Sequence, residues 1–161
     1  MDRITFTGTV LAVDPGPEQS AYVMFDGRAV IEFAKVPNKE LLWRCGLTYD
    51  SSIVLVVEQV AAMGMAVGAE VFETVFWSGR FAQQWRSTWD RMKRHEVKMH
   101  LCGNTRAKDG NIRQALIDRF GPGKQAAIGT KKNPGPLYGV SGDCWQALAL
   151  AITYHETKGT P

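Results

Sequence analysis

The chain has 161 residues, of which 45% are hydrophobic and 22% charged, and its formal net charge is +3. That length fits one domain, residues 1–161, with a sizeable core, and no apolar run approaches the length a membrane-spanning helix needs. The mild positive charge permits nucleic acid as a partner but does not require it. Cys45, Cys102 and Cys144 are odd in number, far apart and set among apolar residues, which reads as free thiols in a reducing compartment rather than disulfides. No Cys-x-x-Cys or Cys/His pair points to zinc. The opening Met-Asp-Arg-Ile has nothing of a signal peptide, so a cytoplasmic protein is expected.

In chain order, strands come first. Residues 7–14 read as a strand, and "AYVMFDGRAVIEFAKV" (21–36) as two more joined at Asp26-Gly27, a hairpin signal. A helical pattern runs from Asn38 to Cys45. "SIVLVVE" (52–58) is apolar without alternation, as a strand buried on both faces in a parallel sheet would be. Residues 65–93 read as helix and "EVKMHLC" (96–102) as a short strand. "DGNIRQALIDRFG" (109–121) reads as a helix closed by glycine. The Gly/Pro/Lys-rich stretch 121–139 is expected to be a mobile loop, and "SGDCWQALALAITYHE" (141–156) the last helix. The order predicts an α/β protein with a mixed sheet and helices on both faces.

Three acids stand out. Asp14 closes the first strand, where Pro15-Gly16 forces a turn. An ionised group at a core edge is costly unless something binds it. Glu58 repeats the pattern at the end of "IVLVVE", and Asp143 falls in the first turn of the last helix. Asp14 alone could organise a turn, and Asp143 alone could serve the helix dipole. Glu58 has no local backbone role. Parallel strands bring their carboxyl ends to one edge, so the trio predicts a hard-cation site of oxygen ligands.

"VLAVDPG" (10–16), "VVEQVAAMG" (56–64) and "SGDCWQALALAI" (141–152), in this order and spacing, resemble the RuvC family of Holliday junction resolvases. In that family an Asp-Pro-Gly turn ends the first strand, Glu-Gln-Val ends the fourth, and an acidic helix start precedes an Ala-Leu-Ala run. "VKMHLCGNTRAKDGNIRQALIDRFG" (97–121) is similar to the family's basic strand–loop–helix, and the short length and "KKNPGPLYGVSGD" (131–143) resemble phage-encoded members. The likeness runs from about residue 8 to residue 155. It implies an RNase H-like fold with a central five-stranded mixed sheet, acting in a host cytoplasm if the protein is phage-encoded. It also implies that Asp14, Glu58 and Asp143 are catalytic metal ligands, with Asp14 as the bridging one. The implied cofactor is Mg²⁺ or Mn²⁺, two per active site and about 3.5–4 Å apart, and the implied reaction is phosphodiester hydrolysis. One departure is Gln146, where the family carries a second Asp, which lowers the charge of the site by one.

Substrate phosphates need cations, and Lys98, Arg106, Lys108, Lys131 and Lys132 flank these segments. The resemblance puts Lys98 at the family's basic strand position and Lys108 within one residue of its second lysine. Trp77, Phe81, Trp85 and Trp89 recur every fourth residue. A buried face explains most of that stripe, but four large aromatics favour a subunit interface, and the resemblance implies a homodimer through the 71–89 helix. Met63 and Met65 are expected at the active-site rim. Ala61 and Ala62 stand where the family often places an aromatic wedge against DNA. His95, His100 and His155 read as surface or strand-end residues. The expected function is a structure-selective endonuclease on branched DNA, the four-way junction foremost. The alternatives are a nuclease of the same fold acting on flaps or RNA–DNA hybrids, and an inactive DNA-binding scaffold.

Overall fold

The structure, a computed structural model, describes residues 8–158 except 49 and 63. The opening apolar run forms β1 (Thr9–Asp14), and β2 (Gln19–Phe25) and β3 (Val30–Pro37) follow as an antiparallel hairpin. Asp26 builds its turn. The carboxylate accepts hydrogen bonds from the backbone N–H groups of Arg28 and Ala29 at 2.8 and 2.7 Å. A β-bulge between Met24 and Phe25 then shifts the pairing by one, so that Ala21 faces Lys35. Next come α1 (Asn38–Leu47), β4 (Ile53–Gln59), α2 (Ala69–Gln84) and β5 (Trp89–Lys93). The chain continues through α3 (Arg94–Cys102), α4 (Asp109–Phe120), the single-turn α5 (Lys124–Ala127) and α6 (Cys144–Thr157).

The five strands form one mixed sheet in the order β3-β2-β1-β4-β5, with β1, β4 and β5 parallel. Ile53 to Val57 are all buried because β4 lies inside the sheet and is covered on both faces. On one face Leu11, Val13, Leu55 and Val57 pack against Leu41 and Cys45 of α1 and Trp77 and Phe81 of α2. On the other, Val10, Ala12, Val54, Val56 and Met92 lie under α6, with α3 and α4 beside it. From Cys144 to Tyr154, α6 buries ten residues, the mark of a helix enclosed on every side. Among the described residues no helix is long and apolar enough to cross a membrane.

Four sequence expectations are corrected. The helix expected over 65–93 covers only Ala69–Gln84, and Trp89–Lys93 is the edge strand β5. Only Met92 of that strand is buried, so it carries no hydrophobic alternation. Residues 96–102, expected as a strand, belong to α3. Val97 and Leu101, four apart, face the core, while Met99 is half exposed. Gly103 closes that helix at φ 65°, in the left-handed region open to glycine. The 121–139 stretch is mostly exposed but not structureless: it contains α5, a bridge between Gly129 and Pro134, and the fully buried Ala127 and Leu137. Finally, Trp77, Phe81 and Trp85 all face their own sheet, and only Trp89, on β5, is exposed. The apolar side that α2 turns to solvent is instead Phe72, Val75 and Phe76.

Candidate active site

The parallel register sets Val13 of β1 opposite Val57 of β4. The next residues, Asp14 and Glu58, therefore end neighbouring strands on the same face, the one covered by α6. Asp143 stands at the N-terminal end of α6 over that edge. The turn after Asp14 is clamped from both sides. The Gly16 N–H donates to Ser20 Oγ at 3.2 Å, Asn38 Nδ2 donates to the Gly16 carbonyl at 2.9 Å, and Ser20 Oγ donates to Asn38 Oδ1 at 2.6 Å. Ser20 and Asn38 are both buried. A Cβ on residue 16 would lie 2.3 Å from the Gln19 carbonyl oxygen, so only glycine fits there.

The electrostatics show a site short of positive charge. Burial, then the charges of Glu58 and Asp143, push the Asp14 carboxyl up to about 7, against smaller pulls from Arg94 and Lys35. Burial also raises Glu58, and Arg94 opposes it. Two cations answer the outer acids. Lys35 Nζ lies 2.6 Å from Asp143 Oδ2. Arg94 reaches Glu58 Oε1 at 3.4 Å with one nitrogen and Asp109 Oδ1 at 2.7 Å with the other. Among the described residues no three His, Cys, Asp or Glu side chains lie close enough together to hold a metal ion as they stand. The donor chemistry nevertheless fits a hard cation: all three candidate ligands are carboxylates, and Arg94 and Lys35 offset only part of what burial and the neighbouring acids impose on Asp14.

Two clefts flank the acids. One, of about 550 Å³, is lined by Asp14, Gly16, Glu18, Lys35, Glu70 and Asp143. The other, of about 270 Å³, is lined by Glu58, Lys93, Arg94, His95, Lys98 and Thr105. No family model and no curated protein matches the chain. Solved structures do. Thermus thermophilus RuvC superposes with a TM-score of 0.57 and 15% identity, over 91% of this chain and 92% of that one. RuvC of the same organism in complex with Holliday junction substrate gives 0.57 and 13%, over 92% and 93%. The fold is RuvC-like.

On this RuvC-like sheet Lys98 lies in the cleft beside Glu58, but on helix α3 and not on a strand as expected. Arg106 and Lys108 are exposed just before α4, and Lys131 and Lys132 are exposed in the turn bridged by Gly129 and Pro134. None of these four lines either cleft. Gln146 is half buried on α6, within one turn of Asp143. Met65 is exposed in the β4–α2 connection, and Met63 lies outside the described residues. His95 and His100 are helix residues; His100 pairs with Glu156 at 2.5 Å and so bridges α3 to α6. Lys35, Arg94 and Asn38 were not legible as site residues. Arg94 sits in a stretch expected to lie between a helix and a strand, and nothing local marks Asn38. Lys35 could be found only by counting hairpin register, which the bulge upsets.

Proposed function

We propose that this chain is a divalent-metal-dependent endonuclease that cuts branched DNA, the four-way junction foremost, by phosphodiester hydrolysis. The observation that carries this reading is the convergence of Asp14 and Glu58, on adjacent parallel strand ends, with Asp143 at the start of α6. Asp14, Glu58 and Asp143 would hold the cation, two per site on the fullest reading. A bound Mg²⁺ or Mn²⁺ supplies Lewis acidity and an activated water at neutral pH. The protein's part is orientation and charge. The clamped Asp14 turn fixes one ligand, while Lys98 and Lys93 line the wall next to Glu58, where a phosphate would be neutralised. Arg106, Lys108, Lys131 and Lys132 would add backbone contacts further out. The likeness to a chain solved with a Holliday junction supports a branched substrate. Exposed Phe72, Val75 and Phe76 support a homodimer through α2, whose two-fold symmetry suits paired cuts in a junction.

A second reading, an inactive junction-binding scaffold, is favoured by the ion pairs that occupy Asp143 and Glu58. One assay separates the two: purified protein against junction, fork, flap and linear duplex, with Mg²⁺ and with EDTA. The nuclease cuts the junction in Mg²⁺ only. Asp14→Asn, Glu58→Gln and Asp143→Asn should each abolish cutting while junction binding persists, because charge leaves the site without a change of shape. Near-normal turnover in any of the three removes that residue from the site. Binding without cutting in Mg²⁺ and in Mn²⁺ selects the scaffold.

A further inference from the structure

Lys35 belongs to β3, the outermost strand on the far side of β2 from Asp14, yet its side chain reaches the site. The register explains how. Asp14 pairs with Ala21 and Ala21 with Lys35, so the three form one row across three strands on the α6 face. The bulge at Met24/Phe25 is what turns Lys35 to this face. Carried back without a bulge, the Phe25–Val30 pairing would set Ala34 opposite Ala21 and point Lys35 at the α1 side. Ala21 is small and puts no long side chain between Lys35 and Asp14. Lys35 then meets Asp143 at 2.6 Å and lines the same cleft as Asp14. Asp143 is the only acid bonded to it among the described residues.

We infer that Lys35 is a positioning residue that holds Asp143 while the site lacks a divalent cation and competes with that cation for it. The inference rests on the metal-site reading proposed above. No covalent bond changes: the ammonium keeps its protons, and Asp143 exchanges one cationic partner for another. The pair is well placed to yield, since both side chains are about half exposed, at 46% and 51%. Exposed pairs are weak, worth a factor of about two to five in an equilibrium. Arg94 differs. It meets a Glu58 side chain only 14% exposed and is anchored by Asp109, so it stays in place.

The test is calorimetric titration of Mn²⁺ into the metal-free full chain, without DNA. Lys35→Met should tighten Mn²⁺ binding about two- to fivefold. Lys35→Arg should restore the wild-type affinity, since it keeps the pair. In an Asp143→Asn background the gain from Lys35→Met should fall below twofold, and an undiminished gain there overturns the inference, because Lys35 would then act through its charge on the whole site and not through Asp143. Unchanged or weaker Mn²⁺ binding by Lys35→Met overturns the inference and leaves the metal site standing. Failure of the wild type and of every variant to bind Mn²⁺ at millimolar concentration overturns the metal site itself, and the inference with it.

Discussion

At pH 8 a half-buried Asp14 carrying its charge beside Glu58 and Asp143 is a liability that the fold has to absorb. Its carboxyl titrates at about 7 in the folded chain, against an ordinary 3.8. Between those values the folded protein holds a proton that the unfolded chain has released, so stability falls as pH rises through this window. The stabilising proton is fully present below about 4 and lost above about 7, and the difference amounts to at most about 4 kcal/mol. Glu58, also raised, acts in the same direction. The urea midpoint of metal-free protein should therefore drop from pH 5 to pH 8, and Asp14→Asn should flatten most of that slope. A midpoint that rises with pH in the wild type would contradict the burial of this carboxyl. Asn38 supports the Asp14 turn from α1, its side chain donating to the Gly16 carbonyl and accepting from Ser20 Oγ of β2. Asn38→Ala should cost about 1–3 kcal/mol and, if the chain is the nuclease proposed above, slow cleavage by about tenfold or more with junction affinity unchanged, because it would loosen a proposed ligand and not a phosphate contact. Asp14 and Glu58 were legible because each interrupts an apolar strand. Lys35 and Arg94 were not, because surface cations look alike until register and packing say which way they point.

The elements that misled were those whose side chains fit two periods. Val97, Met99 and Leu101 alternate as a strand would, while Val97 and Leu101 also share a helix face, and burial in the core beside α6 decided for the helix. β5 failed in the opposite way: an edge strand with one buried residue has no pattern to read. The long apolar strands and α6 were legible because their cores leave no second interpretation. The same distinction divides the aromatics of α2. Phe81→Ala should cost about 3–5 kcal/mol, since the ring is fully buried between helix and sheet. Phe76→Glu, on the exposed side, should change stability by only about 0.5 kcal/mol. If α2 mediates the dimer, Phe76→Glu converts it to a folded monomer that nicks junctions without pairing its cuts. Equilibrium sedimentation reads the mass, and a wild-type monomer at micromolar concentration would end the dimer proposal.

Across the whole molecule, the acid edge is assembled from positions 14, 58 and 143, which share one end of the sheet only because β1, β4 and α6 pack together. α6 touches β1, β2, β3 and β4, and it roofs one of the two cores. A chain stopped before Cys144 should therefore fail to fold cooperatively, exposing the apolar face of β1 and β4, and should sediment as aggregate. A soluble, cooperatively melting fragment 1–143 would show that the roof is dispensable. The order of synthesis adds a consequence in time. The strands emerge from the ribosome before α6, with their α6-facing side bare until that segment follows. Until then Asp14 and Glu58 project from a half-built sheet, and Asp143 has no docked helix to carry it. Whatever chemistry this edge performs, a nascent chain is born without it.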